Sequence, residues 1–466
     1  MAHVLNVSTQ DGSVGRLGFE SQQDIYSFTY DETWQARDVA FPLSPHIPLS
    51  GERPKLGAVH RFLANLLPEG RALEVASMMY QMSKDNTFGL VHMLGKEPVG
   101  ALSFTATAEA AAPGEDGAEL AEPEYTAAEE QDALPVRRVV PNEELSERIR
   151  RRDEIPFPVW DRKLRLSVAG FQDKLQVLVE GPSLSLVDGG PISSTHILKP
   201  ESLNPASAFM VANEHYCMTL AASIGLPTAA VQIRRIPEPI LLIERFDRVV
   251  ELDPADGVTA LRVRRTHVID GCQALDLPVS LKYERNFGNA REVRDIREGA
   301  SFEKLFALGP HLENPAHARQ VMLRWALFQL FIGNSDAHGK NLSFHVRPAG
   351  LSPAPFYDLV SVNVYGDVVE QDMALGYGDA FRLEEIIAFE LACFARHTST
   401  PRPLLARELT RMAHAITRVA RDLAQSEVYV DEERDLVECI HDFVMVQVGK
   451  LMQLAPEVPR IDRSLL

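Results

Sequence analysis

An apolar segment that runs directly into a dense polar loop constrains this chain more than any other sequence feature. The stretch ARQVMLRWALFQLFIG (318–333) has apolar residues at helical spacing, and Gly333 predicts the end of the helix. NSDAHGKN (334–341) then brings an aspartate, a histidine, a lysine and two asparagines together. LSFHV (342–346) alternates like a strand, RPAGLSP turns the chain, and PFYDLVS carries Asp358. The predicted order is a buried helix, a polar loop, a hairpin and an aspartate in an apolar setting.

Protein kinases use this order of elements in their catalytic segment. Asp336 and Asn341 have the Asp-x-x-x-x-Asn spacing that holds the catalytic base and a magnesium ligand, and Asp358 follows a hairpin later as a second ligand. Amide and carboxylate oxygens are ligands that Mg²⁺ accepts. The pattern predicts Asp336 as the base for an acceptor hydroxyl, and Asn341 and Asp358 as metal ligands. Read alone, Asp336 would be an ordinary loop residue, since Asp favours turns; the order of the three elements favours the catalytic interpretation.

Two other residues of the loop, Lys340 and His338, are predicted to lie at the nucleotide. Lys340 is predicted to neutralise charge on the transferred phosphoryl group. His338 is placed near the nucleotide, but a neutral imidazole is a poor partner for Mg²⁺. Packing or hydrogen bonding within the loop is therefore favoured over metal ligation for His338.

An upstream glycine predicts a turn that covers the phosphates. LRLSVAGFQDKLQVLVEG places Gly170 between two strand-like runs, where a backbone without a Cβ can approach a ligand closely. The turn matches neither G-x-x-x-x-G-K-S/T nor G-x-G-x-x-G, so a plain hairpin is the alternative. The predicted nucleotide contacts of this turn are Val168, Ala169, Gly170, Phe171, Gln172, Asp173 and Lys174.

Two further segments fit the nucleotide site. Lys199 ends the strand STHILKP just before a helix, where kinases place a phosphate-pairing lysine; a solvated lysine is the alternative. ILLIERF leads into the helical half, and the backbone of Glu244, Arg245 and Phe246 is predicted to bond the edge of adenine.

Composition places the chain among globular proteins of about two or three domains. Its 466 residues carry a net charge of −18, and more than half of that excess comes from ten acidic residues between positions 97 and 136. We therefore predict an acidic linker at 105–136 and no sequence-wide attraction to nucleic acid or anionic membrane. The four scattered cysteines, the lack of a signal peptide and the lack of a span of about 20 apolar residues predict a cytoplasmic protein.

At this point the chain resembles the HipA family of bacterial serine/threonine toxin kinases. FLANLLPEG, LSVAGFQDK, THILKP, NEHYCMTLA, ERFDR, CQALDLP with LKYE, FQLFIGNSDAHGKN and FYDLVS occur in the family's order. The resemblance implies an α+β, two-lobed, protein-kinase-like (PI3/4-kinase-like) fold. It implies a β-rich N-terminal subdomain (1–104), a kinase N-lobe (137–250) and an all-α C-lobe (251–466). Phe171 and Asp173 depart from the family's pattern, which has a small residue and Glu there.

The resemblance also implies a function. It implies ATP and Mg²⁺ as cofactors, with roles for Asp336, Asn341, Asp358 and Lys199 that agree with those above. It implies that Ser167 is autophosphorylated and that this modification turns the kinase off. The implied substrate is an aminoacyl-tRNA synthetase, chiefly the glutamyl enzyme. The implied partner is a small helix-turn-helix antitoxin (HipB-like), which would carry any contact with operator DNA.

Two other functions remain open at this stage. One is a catalytically inactive co-repressor that binds the antitoxin, although every required polar residue is present. The other is a small-molecule phosphotransferase, because such enzymes share the Asp-x-x-x-x-Asn loop and the later metal-binding Asp. They lack the LLPEG and AGFQDK segments found here.

Overall fold

The computed structural model describes residues 2–106, 136–165, 172–288 and 290–466. Most of the predicted acidic linker lies outside these ranges. Residues 166–171, which belong to the predicted phosphate turn and the stretch just before it, also lie outside them. The predicted site residues among them are Ser167, Val168, Ala169, Gly170 and Phe171. In the described ranges, no helix has the length and apolar character needed to cross a membrane.

The strands of the described residues are β1 Ala2–Thr9, β2 Gly12–Glu20, β3 Ile25–Tyr30, β4 Ser103–Ala106, β5 Val136–Val139, β6 Val159–Trp160, β7 Lys163–Leu164, β8 Leu175–Glu180, β9 Ser183–Asp188, β10 His196–Pro200, β11 Val231–Arg235, β12 Pro239–Glu244, β13 Arg248–Leu252, β14 Ala260–Arg265, β15 Val268–Asp270, β16 Ser343–Arg347 and β17 Gly350–Pro353. The α-helices are α1 Glu32–Gln35, α2 Ala58–Ala64, α3 Gly70–Met79, α4 Thr87–Leu94, α5 Asn142–Arg150, α6 Met210–Ser223, α7 Gly271–Leu275, α8 Phe302–Phe306, α9 Pro315–Ile332, α10 Ala388–His397, α11 Arg402–Ala424 and α12 Asp431–Leu454.

The N-terminal part is built on an antiparallel sheet in the order β3-β2-β1-β4. Alternate residues such as Leu5, Val7 and Leu17 face one side of this sheet and are buried with Trp34 and Phe104. Helices α2 and α4 pack against the same part of the chain. The prediction of a β-rich segment with some helix before residue 105 agrees with this arrangement.

A second antiparallel sheet follows, in the order β11-β12-β10-β8-β9-β5. Its strand β12 is buried on both faces because apolar residues follow one another without alternation. Leu241 and Ile243 join the main core, whereas Ile240 and Leu242 join a second core that contains Trp160. Burial on both faces fixes the register of β12, and therefore that of its neighbour β10, which carries Lys199.

Helices dominate after residue 270, but the predicted all-α lobe from residue 251 onward is wrong. Strands β13 and β14 form a hairpin, and β15, β16 and β17 form a three-stranded antiparallel sheet. These strands are three to six residues long. Because the helical pattern dominates the sequence of this region, the prediction missed the short strands β13, β14 and β15. The hairpin β16–β17 is the one that the sequence predicted after the polar loop.

Helix α9 runs through the interior of the helical part and delivers the polar loop. Trp325, Phe328 and Phe331 are all buried, and apolar residues surround most of the helix. Gly333 follows it with φ +63°, a conformation that glycine adopts without a Cβ penalty. The predicted end of the helix at Gly333 is confirmed.

Candidate active site

Lys199 lies at the centre of a buried ion cluster at the end of β10. Its Nζ lies 2.8 and 2.9 Å from the two carboxylate oxygens of Glu214 on α6, and 2.6 Å from Oδ1 of Asp358. The side chains of Lys199 and Glu214 keep only 7% and 2% of their accessible surface. Burial alone would lower the pKa of Lys199, but Asp358 and Glu214 outweigh burial and hold that pKa above its usual value. Lys199 therefore stays charged and joins a strand, a helix and the second aspartate.

Asp358 presents an open carboxylate edge to the same cleft. Its side chain keeps 36% of its accessible surface, although one oxygen is bound by Lys199. Partial burial opposes its ionised form, but Lys199 and Lys174 hold its pKa well below the usual range. The Asn341 amide lies 3.4 Å from its other oxygen. Asp358 has φ +57°, an uncommon conformation for a non-glycine residue that is often found at binding sites.

Asp336 extends from a loop that is tied to the end of α9. The Asn334 side chain accepts the backbone N–H of Asp336 at 3.1 Å and donates to Gln329 of α9 at 3.0 Å. The Tyr283 hydroxyl donates to Oδ1 of Asp336 at 2.7 Å. The Asp336 carboxylate reaches solvent, but the surrounding protein removes much of its hydration and raises its pKa to about 6, against the opposing effect of the Tyr283 hydrogen bond. Such a carboxylate can change protonation near neutral pH.

His338 and Lys174 face the same region from opposite sides. The His338 ring packs edge-on against Tyr283 with 5.2 Å between ring centroids. Burial, reinforced by the nearby Lys282 ammonium, lowers the pKa of His338 to about 3, so the imidazole is neutral. This agrees with the interpretation that His338 packs within the loop. Burial and the neighbouring Lys199 lower the pKa of Lys174 to about 8, and the predicted contact of Lys174 with a nucleotide stays a prediction.

Lys340 does not join the predicted phosphate contacts. Its Nζ bonds Oδ2 of Asp270 at 2.5 Å, and the backbone oxygen and Oδ1 of Asn65 at 3.1 and 2.9 Å. The side chain keeps only 4% of its accessible surface, and Asp270 and Asn65 occupy its ammonium. The predicted role of Lys340 at a moving phosphoryl group is therefore corrected to one of supporting the loop.

The predicted adenine-binding backbone is only partly available. The N–H groups of Glu244 and Arg245 donate to the carbonyl oxygens of Ala230 and Thr195 at 2.9 Å, so neither can donate to a nucleotide. The Arg245 side chain is buried and turns away to other partners. Phe246 is half-buried beside the aromatic ring of Tyr357, at 5.5 Å between centroids, and its predicted backbone contact stays a prediction.

The described end of the predicted phosphate turn lies close to a buried arginine. Gln172 is exposed, whereas Asp173 is partly buried and lies 3.9 Å from Nε of Arg152. Burial raises the pKa of Asp173 despite this neighbour. The contacts that the sequence predicted for Gln172 and Asp173 with a nucleotide stay predictions.

Comparisons with known proteins cover nearly the whole chain. Residues 5–105 match the model of the HipA N-terminal domain, and residues 166–426 match the model of the HipA-like C-terminal domain. The serine/threonine-protein kinase toxin HipA of Shewanella oneidensis is 39% identical over 92% of this chain and 91% of that protein. The chain belongs to the HipA family. The predicted identity as a serine/threonine protein kinase of this family is thereby confirmed.

One further relative and a solved structure support this assignment. Y4mE of Sinorhizobium fredii is 33% identical over 92% of this chain and 94% of its own length. The solved complex of HipA with HipB and its operator DNA from Shewanella oneidensis matches with a TM-score of 0.81 and 36% identity. That match covers 98% of this chain and 100% of the HipA chain. The fold is accordingly the mixed α/β fold of HipA.

Several functional neighbours in this HipA chain escaped the sequence analysis. Glu214 binds Lys199, and a signal for it existed: NEHYCMTLA follows the strand of Lys199 as a helix, and kinases pair that lysine with a helical Glu. Tyr283, in LKYE, binds Asp336. Glu69, in LLPEG, binds Lys282 at 2.6 Å. The latter two segments were recognised as family motifs, but nothing in their spacing indicated which side chains they meet.

The donor set of the cleft fits a magnesium–nucleotide complex. Asp358 supplies an open carboxylate edge, and Asn341 supplies an amide next to it. Within the described ranges, no three His, Cys, Asp or Glu side chains converge as a metal cage. Mg²⁺ is usually held by one or two protein oxygens together with phosphates and water, and Asp358 with Asn341 would provide those two.

Proposed function

We propose that this HipA-family chain is an ATP- and Mg²⁺-dependent serine/threonine protein kinase that acts as a toxin. The observation that carries the proposal is the bonding of Lys199 to both Glu214 and Asp358, with Asp336 near enough to Asp358 for the two carboxylates to interact electrostatically. A lysine–glutamate pair next to a metal-binding aspartate is the arrangement that active kinases require. We place this arrangement in a two-lobed, PI3/4-kinase-like fold, with the predicted lobes at 137–250 and 251–466 and the N-terminal subdomain at 1–104.

Each side chain has a role in the proposed reaction. A bound Mg²⁺–ATP complex supplies the transferable phosphoryl group and neutralises part of its charge. Asp336 accepts the proton of a serine or threonine hydroxyl. The oxygen of that hydroxyl forms a bond to the γ-phosphorus while the bond between the γ-phosphorus and the β–γ bridging oxygen breaks, and ADP is released. Asp358 and Asn341 hold the metal ion. Lys199 exchanges part of its contact with Asp358 for contact with the phosphates.

We further propose that phosphorylation of Ser167 inactivates the kinase. A phosphoserine adds about −1.5 to −2 charges. Ser167 precedes the predicted phosphate turn, so the added charge would lie beside the place that the ATP phosphates need. The predicted nucleotide contacts of residues 168–174 belong to the same proposal.

The proposed cellular role is growth arrest through phosphorylation of an aminoacyl-tRNA synthetase, with the glutamyl enzyme as first candidate. The proposed partner is a HipB-like helix-turn-helix antitoxin, because the relative from Shewanella oneidensis was solved with HipB and operator DNA. The net charge of −18 supports DNA contact through the antitoxin rather than through a general basic surface. Four free, separated cysteines support a reducing, cytoplasmic setting.

Labelling with γ-labelled ATP tests the proposal. The wild-type chain should label itself at Ser167, and Asp336→Asn should lower the rate at least about 100-fold because the base is lost. Asp442→Asn is the control, since that carboxylate is 79% exposed on α12.

Phosphoproteomics of cells that express wild-type or Asp336→Asn protein should enrich one synthetase in the wild-type sample. Equal labelling by wild type and Asp336→Asn would rule out Asp336 as the base, and a wild type without any transfer would refute the kinase proposal.

A further inference from the structure

The segment FLANLLPEG lies far from the kinase motifs in sequence, yet two of its residues bond lysines in or next to the catalytic loop. Glu69 is buried, and its carboxylate bonds Nζ of Lys282 at 2.6 Å; the two side chains keep 9% and 6% of their accessible surface. These two residues are 213 positions apart, and Glu69 lies in the region that matches the HipA N-terminal domain. A buried ion pair of this kind is sensitive to loss of either partner, because the remaining charge stays buried without its counter-ion.

Lys282 and its neighbour connect this ion pair to the loop that carries the catalytic aspartate. The carbonyl oxygen of Lys282 accepts the backbone N–H of Gly339 at 2.9 Å. The next residue, Tyr283, donates its hydroxyl to Asp336 at 2.7 Å. Gly339 packs closely against its neighbours, since a Cβ there would lie 2.6 Å from Ala300. Fixing Lys282 therefore fixes both the backbone of the loop and the donor to Asp336.

A second residue of the same segment holds the other end of the loop. Asn65 accepts Nζ of Lys340 with both its backbone oxygen and its side-chain oxygen, and it donates to the carbonyl oxygen of Leu277. Asp270 completes the partners of Lys340. Asn65 and Glu69 thus reach the catalytic loop through two separate lysines. In the described ranges, neither side chain hydrogen-bonds Asn341, Asp358 or Lys199.

We propose that Asn65 and Glu69, acting through Lys340, Lys282 and Tyr283, are positioning residues by which the N-terminal part of the chain holds the catalytic loop. The inference rests on the proposed kinase function and adds to it a role for the N-terminal part inside the catalytic site. The segment FLANLLPEG thereby has a physical role in catalysis. Without Asn65 and Glu69, the catalytic loop would lose two buried contacts that hold it, even if every kinase motif were intact.

A matched pair of variants tests the inference in the full-length chain. Glu69→Gln removes the carboxylate that holds Lys282. Arg61→Gln is the control, because Arg61 also joins the N-terminal part to the segment before Lys282, through Asp276 at 2.6 Å, but without contact to the loop. We expect Glu69→Gln to lower kcat about tenfold with KM for ATP unchanged, since the loop is misplaced while the nucleotide contacts remain. Arg61→Gln should keep both constants.

Hydrogen exchange supplies a readout that does not depend on activity. The peptide 334–341 should exchange faster in Glu69→Gln than in the wild type and in Arg61→Gln, because the Gly339 amide loses its fixed acceptor. If Glu69→Gln does not fold, the milder variant Tyr283→Phe, which leaves the ion pair intact, should show the same loss of kcat at constant KM.

The outcomes separate this inference from the function on which it rests. Folded Glu69→Gln with wild-type kcat and wild-type exchange of 334–341 would overturn the positioning role, as would equal effects of Glu69→Gln and Arg61→Gln. A wild-type chain without phosphoryl transfer would refute the kinase proposal, but the exchange comparison would still decide whether Glu69 holds the loop.

Discussion

At the scale of single residues, Asp336 should give the reaction its pH dependence. Loss of hydration raises the pKa of this carboxyl to about 6, while the Tyr283 hydrogen bond and Lys282 oppose the rise and Asp358 and Glu69 add to it. A base must be ionised to accept a proton, so activity should be full well above that pKa and should fall as pH drops through it. We expect kcat/KM, which reports the free enzyme, to decrease about tenfold per pH unit below about 6.

A Tyr283→Phe variant serves as the check on this assignment. The Tyr283 hydroxyl favours the ionised carboxylate, so its removal should move the acidic limb of the kcat/KM profile to higher pH. A limb that stays in place, or moves to lower pH, would assign the limb to a group other than Asp336.

The sequence singled out Asp336, Asn341 and Asp358 because they lie within one short stretch whose order is typical of kinase catalytic segments, and their roles stay predictions. It could not identify the neighbours of these residues. Lys340 was assigned to the phosphates because it lies in that stretch, but its partners Asn65 and Asp270 are 275 and 70 positions away. The spacing of residues within a loop does not show to which side of the loop a long side chain extends. That direction depends on which distant residues pack beneath the loop.

At the scale of elements, the link between β10 and α6 should control nucleotide binding. Glu214 on α6 holds Lys199 on β10 through both carboxylate oxygens. In Glu214→Gln the ammonium keeps Asp358 as its charged partner and should be drawn toward the metal-binding carboxylate. We expect ATP affinity, measured by calorimetry with Mg²⁺, and kcat/KM to fall about tenfold or more, since a buried charged hydrogen bond is lost.

The control for this prediction is an ion pair away from Lys199 in which the carboxylate is buried and bound through both oxygens, while the arginine is partly exposed. Glu433 on α12 bonds Arg235 at 2.6 Å and keeps 6% of its accessible surface. Glu433→Gln should lower stability but leave ATP affinity and kcat/KM unchanged. Equal losses in Glu214→Gln and Glu433→Gln would mean that general destabilisation, and not the Lys199 contact, sets the affinity.

Elements with a strong local signal could be predicted, and elements defined by pairing could not. Helix α9 and its end at Gly333 follow from apolar spacing and one glycine. The short strand β15 depends on a partner elsewhere in the chain: it pairs with β16, whose residues lie more than 70 positions later. The same limit applies to the predicted hinge, where pairing with distant carbonyl oxygens uses the N–H groups of Glu244 and Arg245.

At the scale of the whole molecule, the order of eight motifs was enough to predict the family, but not how its parts fit together. Two of the sites at which the N-terminal part meets the rest of the described chain differ in character. One is formed by Asn65, which bonds Lys340 of the catalytic loop, and by Glu69, which bonds Lys282. The other is a cluster of buried charges around Asp247. Both join residues more than 140 positions apart, which no local pattern can indicate.

The cluster around Asp247 should be a major source of stability for this assembly. Asp247 bonds the guanidinium groups of Arg245 and Arg248 at 2.9 and 2.7 Å and accepts the backbone N–H of Gly100 from the N-terminal part. Burial opposes its ionised form, but the two arginines hold the pKa of Asp247 well below the usual range.

We therefore expect Asp247→Asn to lower the free energy of unfolding by about 3 kcal/mol or more, because it removes the carboxylate that both buried arginines share and leaves only the more distant Glu97, at 3.6 and 3.4 Å, beside them. Denaturant unfolding would measure the loss. The matched control lies on the adjacent hairpin: Glu251 pairs with Arg264, and both side chains are about half exposed. Glu251→Gln should change stability by less than about 1 kcal/mol, since solvent screens exposed pairs. Similar small losses in Asp247→Asn and Glu251→Gln would show that the cluster around Asp247 is not a major source of stability.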